Sequence, residues 1–256
     1  MKKTILLFLF SFLIVGFSKR EKNTKTIHVY VALCDNENQG IVPVPSKLGN
    51  GQDPKNNLYW GALYGVKTYF KNSKDWTYVK SIKSDNQKIL ERLLFKHKSS
   101  NTYLLADAYD GKHIKQTTID YIEATAGRNS FSITYNSSKL NFGGGSELLA
   151  YVGHDGLMDF NVEGNFSPIN KAKRDAIVLA CASKSYYKTY FKKTKVNPLV
   201  WTTGLMAPEA YTLKASIDGW ILKESDAQIA ERAAQAYHKY QKCGIKGARR
   251  LLVTGF

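Results

Sequence analysis

Cysteine is scarce: the 256-residue chain has three, at Cys34, Cys181 and Cys243. An odd number leaves at least one thiol unpaired within the chain. Cys34 and Cys243 are free to pair, which makes Cys181 the candidate reactive thiol. None of the three stands where a lipid-modified cysteine would close a leader, which argues against a lipoprotein. Long hydrophobic runs are also missing. The greasiest stretch, residues 5–17, is too short to span a bilayer comfortably. The sequence has no G-x-S-x-G turn, which weakens the case for a serine hydrolase. It has no ligand cluster with recognisable metal spacing, so neither a metal nor a cofactor is expected. Gly143-Gly144-Gly145 precedes a strand and lacks the Lys-Ser/Thr ending of a phosphate loop, so it reads as a flexible connector. Internal repeats and low-complexity tracts are absent.

Positive charge is what the chain has in excess, with 37 basic residues against 21 acidic ones and a formal +16. Its opening, Met1-Lys2-Lys3, then the greasy stretch, then Gly16 and Ser18, follows the charged, apolar and small-residue order of a signal peptide cleaved near Ser18. An uncleaved membrane anchor is the alternative. Residues 1–18 are therefore assigned to a signal peptide and 19–256 to a single domain, exported to the periplasm or secreted. Without Lys2 and Lys3 the basic count falls to 35, and the mature chain keeps a formal +14. Export sets nucleic acid aside as a partner. The charge fits a solvated, lysine-rich surface and also allows association with an anionic envelope surface, which added salt would weaken. A 43% hydrophobic content suffices for one sizeable core.

Strands and helices alternate along the chain. Residues 27–33 are strongly β-prone and form a first buried strand that ends at Cys34-Asp35-Asn36. His28, at the opposite end of that strand from Cys34, reads as packed or solvated. Residues 39–57, rich in Gly, Pro, Asn and Asp, form a long loop, and loops of this length often carry function. Helices are expected over 58–70, around Ile89, Leu90, Leu93 and Leu94, and over 112–126, 184–195, 208–221 and 225–241. Further strands are expected at 76–79, 102–106, 131–135 and 198–204. This alternation predicts an α/β three-layer sandwich with a mainly parallel central sheet.

Two apolar runs stand out. Leu148-Leu149-Ala150-Tyr151-Val152 ends in Gly153-His154-Asp155-Gly156, and Ala176-Ile177-Val178-Leu179-Ala180 ends in Cys181-Ala182-Ser183. Five apolar residues in a row suit a strand buried on both faces. Side by side, two such strands bring His154 and Cys181 together at the carboxyl edge, where open α/β sheets bind ligands. A thiol becomes a useful nucleophile beside a base, and histidine exchanges protons best near neutral pH. Gly156 would let a carbonyl approach the backbone, and its N–H with that of Cys181 would stabilise an oxyanion.

These motifs resemble the caspase-like cysteine peptidases, whose pattern is an apolar strand ending in His-Gly and a second ending in Ala-Cys. The sequence LLADAYDGKHIKQTTIDYI, residues 104–122, is similar to the strand and helix preceding the His strand in bacterial members. The matching order of elements spans residues 27–221. The resemblance implies a caspase-like fold in which Cys181 attacks the carbonyl of a peptide or protein substrate and His154 protonates the leaving amine. It also implies a specificity pocket built from Asp35, Trp201, Thr202 and Thr203, with Asp35 favouring Lys or Arg before the scissile bond. The alternative is a caspase-like fold that no longer cuts and serves as an envelope binding or scaffold module, because Asp155 stands between His154 and Gly156. Oligomeric state stays open.

Overall fold

A computed structural model describes residues 24–256, so the expected signal peptide, residues 1–18, lies outside the described residues. Eight strands form one sheet. Its centre is β1 (Lys25–Ala32), flanked by β4 (Thr102–Tyr109) and β7 (Leu148–Val152), both parallel to it. Beyond β7 come β8 (Asp175–Leu179) and β9 (Asn197–Thr202), again parallel, and then the short antiparallel β10 (Leu252–Val253). On the other side β3 (Ile89–His97) and β2 (Trp76–Ser81) complete the sheet as antiparallel strands. A separate hairpin, β5 (Phe131–Tyr135) with β6 (Ser138–Phe142), packs beside it.

Every residue of β4 and β7 is buried, as continuous apolar strands covered on both faces must be. Alternation in β1 assigns the two faces: Ile27, Val29 and Val31 enter one core, while Tyr30 and Ala32 enter the other. The first core also takes residues from α1 (Val66–Lys71), α4 (Ala210–Ile221), α5 (Asp226–Gln241) and α6 (Ile245–Leu251). The second takes residues from α2 (Ile114–Thr125) and α3 (Ser183–Thr194). The result is an α/β sandwich in which helices flank a large, mostly parallel sheet. Among the described residues no helix is long and apolar enough to cross a membrane. Helix α5 begins where a capping box would start it, with Ser225 and Gln228 satisfying each other's backbone N–H groups.

Three local expectations need correction. The segment around Ile89, Leu90, Leu93 and Leu94 is strand β3, not a helix. Leu93 joins the main core while Leu94 packs with Tyr103, Leu105, Leu140 and Phe142 under the hairpin, so adjacent leucines are buried on opposite faces. Helix α1 covers only the end of the expected 58–70 segment, because residues 57–65 form successive turns around Asn57. The three glycines at 143–145 are a short 3₁₀ turn with defined partners, not a flexible connector. Gly143 donates its N–H to His28 Nδ1 at 3.1 Å, and Gly144 accepts from Arg174 Nε at 2.7 Å.

That contact fixes the state of His28, which is buried and uncharged. Since Nδ1 accepts, Nε2 carries the proton and donates to Asp107 at 3.0 Å. Arg92 grips the same carboxylate from β3, with Nε at 2.7 Å and Nη2 at 2.6 Å. Burial lowers the His28 pKa. Burial alone would raise that of Asp107, but His28 and Arg92 hold it below the ordinary carboxylate value. One carboxylate thereby ties β1, β3, β4 and the 143–145 turn together. Replacing Asp107 with Ala strands a buried guanidinium and is expected to cost roughly 3–5 kcal/mol in urea unfolding. A loss below about 1 kcal/mol would show that the network is slack.

Candidate active site

The pairing of β7 with β8 sets the geometry of the site. Val152 is in register with Leu179, and Gly153 continues the ladder by donating to the Leu179 carbonyl at 3.2 Å. His154 and Cys181 each lie two residues beyond that registered pair. Neighbouring strands run about 4.8 Å apart, so equal offsets place both residues at the same height on the sheet's carboxyl edge. The connection leaving β1 packs Tyr59 and Trp60 into the first core, and the one leaving β7 packs Leu157, Val162 and Phe166 into the second, so the two cover opposite faces of the sheet.

Cys181 is half-buried at the turn from β8 into α3. Its sulfur receives the Met206 N–H at 3.4 Å and lies 3.6 Å from the Met206 carbonyl oxygen, so the loop after β9 fixes where it points. The next residue, Ala182, takes a left-handed conformation at φ 50°. That backbone costs a residue with a Cβ on the order of 1–3 kcal/mol and is tolerated where the surroundings impose it. His154 is buried, and its Nε2 donates to Asp159 Oδ2 at 2.7 Å. A carboxylate only accepts, so in the neutral ring the free lone pair sits on Nδ1. Asp159 also receives the Gly40 N–H at 3.1 Å, which ties the loop after β1 to the loop after β7. A Cβ at Gly40 would overlap the Asp159 carboxylate, so this approach requires glycine.

His154 and Cys181 share the wall of one cavity of about 310 Å³. The loop after β1 contributes Gly40, Ile41, Val42 and Tyr59, and the loops after β7 and β9 contribute Gly153, Met158, Leu205, Met206 and Pro208. Thiol and imidazole are not hydrogen-bonded to each other; they meet the same space. A second concavity of about 330 Å³, lined by His28, Arg92, Tyr109 and Asp120 among others, holds no cysteine, and its Tyr109 hydroxyl donates to Asp120 at 3.0 Å. Comparison with protein-family models, curated proteins and solved structures returns no match. Among the described residues no group of three or more His, Cys, Asp or Glu side chains is placed to hold a metal ion.

The remaining expected site residues lie elsewhere. Asp35 is buried, and its carboxylate accepts from the N–H groups of Glu37 and Asn38 and from the amides of Asn38 and Gln52. It organises its own loop and lines no part of the cavity, as a strand-end aspartate often does. Trp201 faces the opposite side of the sheet, stacked on Phe191 with centroids 5.5 Å apart. Thr202 is buried, with its hydroxyl on the Ala180 carbonyl, and Thr203 donates to the Arg250 carbonyl at 2.7 Å. The part of this segment that reaches the cavity is the loop just beyond, from Leu205 to Pro208. Gly156 is packed under Phe160; the glycine in the cavity wall is Gly153, whose Cβ would fall 2.8 Å from the Ala32 carbonyl oxygen. Cys34 and Cys243 do not pair, since one is sealed in the core and the other exposed. Burial pushes the Cys34 thiol up to about 11, which leaves it unreactive near neutral pH.

Sequence reasoning missed Asp159 and Met206, and it reached the 40–42 segment only as part of the long 39–57 loop. Nothing in their spacing marks them, because each is brought in by a loop. Asp155, which separates His154 from Gly156, points away from the cavity. It is fully buried, caps the short turn at 156–158 by accepting from Leu157 N at 3.1 Å, and leaves Oδ2 without a partner. Burial raises its carboxyl to about 7, with nearby Asp159 adding to the rise. The unfolded chain releases this proton near pH 4, whereas the folded chain holds it until about pH 7. Between those values the folded state binds more protons, so Asp155 erodes stability as pH rises and the loss is complete above about 7. Asp155→Asn keeps the cap and removes the titration. Its thermal stability relative to the parent is expected to grow from pH 4 to 7 and then level off; a constant difference would count against this titration.

Proposed function

We propose that the chain is a cysteine peptidase of caspase-like architecture, with Cys181 as nucleophile and His154 as general acid and base. The observation that carries this reading is the shared cavity of His154 and Cys181, at equal offsets on adjacent parallel strands. Cys181 gives its thiol proton to His154 Nδ1 as the sulfur attacks the scissile carbonyl carbon, and the imidazolium passes that proton to the peptide nitrogen, which leaves as an amine. A water, losing a proton to the same imidazole, then hydrolyses the thioester, releasing the acid and restoring the thiol. The Cys181 N–H is the donor assigned to the oxyanion. Asp159 acts as a positioning residue, holding Nε2 so that Nδ1 is the nitrogen that exchanges protons. The absence of a direct thiol–imidazole hydrogen bond is compatible with this chemistry, since such contacts tighten only with substrate in place.

A signal peptide at residues 1–18 and export belong to the same proposal, as does contact between the basic surface and an anionic envelope. The second reading, a fold that binds peptides without cutting them, draws on one observation: both backbone polar groups of Met206 already engage the Cys181 sulfur.

Alkylation with iodoacetamide in a Cys243→Ser background separates the two readings, with the labelled residue identified by peptide mapping. The peptidase reading expects Cys181 to label fast and Cys34 slowly, with His154→Ala slowing Cys181. The binding reading expects slow labelling that ignores His154. On a cleaved peptide, Cys181→Ala is expected to abolish turnover and His154→Ala to lower kcat on the order of 10²–10⁴-fold. Asp159→Ala is expected to lower kcat less than His154→Ala does and to shift its pH profile, with KM little changed.

A further inference from the structure

The lining of the cavity beside Cys181 is informative about what enters it. Three loops present large apolar side chains to water at its rim: Val42 is 87% exposed, Leu205 77% and Met158 42%. A scattered exposed apolar residue needs no explanation, but several grouped around one concavity mark a binding surface. Below the rim lie Ile41, Tyr59, Met206 and Pro208. No Asp, Glu, Lys or Arg lines the cavity, and its polar groups are His154 and Cys181, which the chemistry uses, the Tyr59 hydroxyl, and backbone. The volume of about 310 Å³ suits one side chain and the backbone that carries it.

Charge rules out the expected basic residue. An ammonium or guanidinium entering this space would lose its water without meeting a carboxylate, which is strongly unfavourable. Carboxylates near this wall in the sequence are engaged elsewhere: Glu209 accepts from the Tyr211 hydroxyl at 2.7 Å and the Gln241 amide at 3.1 Å, and Asp155 caps the 156–158 turn. Asp35 accepts four hydrogen bonds within its own loop, and Asp159 is held by His154 and Gly40. An acidic side chain likewise finds no lysine or arginine in the wall.

Resting on the peptidase reading, we infer that this cavity takes an aliphatic or aromatic side chain from the acyl side of the scissile bond, so that the protein acts on apolar sites in peptides and not on Lys, Arg or Asp sites. The loops carrying Val42, Met158 and Leu205 close over that side chain while its carbonyl reaches Cys181.

The test uses the full chain and peptidyl chloromethyl ketones that differ only in the last residue: Leu, Phe, Lys, Arg or Asp. Each ketone alkylates Cys181 by displacement of chloride, and its rate is divided by that of iodoacetamide to remove intrinsic thiol reactivity. The Leu and Phe reagents are expected to react more than about tenfold faster than the Lys, Arg and Asp reagents, the discrimination that an apolar pocket can supply. Leu205→Asp, a change at an exposed rim position, is expected to slow the Leu reagent and speed the Lys reagent. Equal rates, or faster reaction with Lys, Arg or Asp, would overturn the inference while His154-dependent iodoacetamide labelling leaves the peptidase reading intact. Slow labelling by every reagent, unchanged in His154→Ala, would remove both.

Discussion

Parallel pairing between β7 and β8 is the constraint on which the candidate site depends. Both strands are buried on both faces, so neither can slip by one residue without sending a whole set of side chains to the wrong core. The register that pairs Val152 with Leu179 therefore holds His154 level with Cys181. A hydrogen-bonded ladder thus does what no local motif could do, setting the separation of two residues 27 positions apart in the chain.

Around that fixed edge the structure spends buried polar interactions on holding loops. Asn57 donates to the Cys34 carbonyl at 2.8 Å and accepts the Cys34 N–H at 3.0 Å, which returns the end of the long loop to the strand it left. Asp35 gathers the start of that loop, and Asp159 joins its middle, at Gly40, to the imidazole. Farther along the sheet, Asp107 with Arg92 and His28 anchors the antiparallel side and the 143–145 turn. Each carboxylate buried without full pairing carries a pH dependence, and Asp155 is the clearest case because only one of its oxygens has a partner.

Much of this was legible before any coordinates. The continuous apolar runs of β1, β4, β7 and β8 announced a parallel sheet, and His154 and Cys181 were readable as the residues that end two of them. The span of α5 and the amphipathic spacing of α2 were equally visible. Failures came where one local pattern suits two tertiary settings. Leu93-Leu94 fits a helix face as well as a strand covered on both sides, and only the hairpin over Leu94 selects the strand. Asp35 carried the right charge for a basic substrate, but its lone pairs went to nearby amides.

The sequence by itself determined the buried parallel strands and which chemical groups stand at their ends, because side-chain periodicity and strand length are local properties. Tertiary structure alone decided which loops converge on those ends. The strand order β9-β8-β7-β1 brings Gly40, Ile41 and Val42, then Gly153, His154 and Met158, then Leu205, Met206 and Pro208 to one wall, although the three groups are far apart along the chain. Packing then gave that wall its apolar character and gave His154 its Asp159 partner, since loop closure across a sheet edge follows from the sum of all pairings and not from the spacing of any few residues.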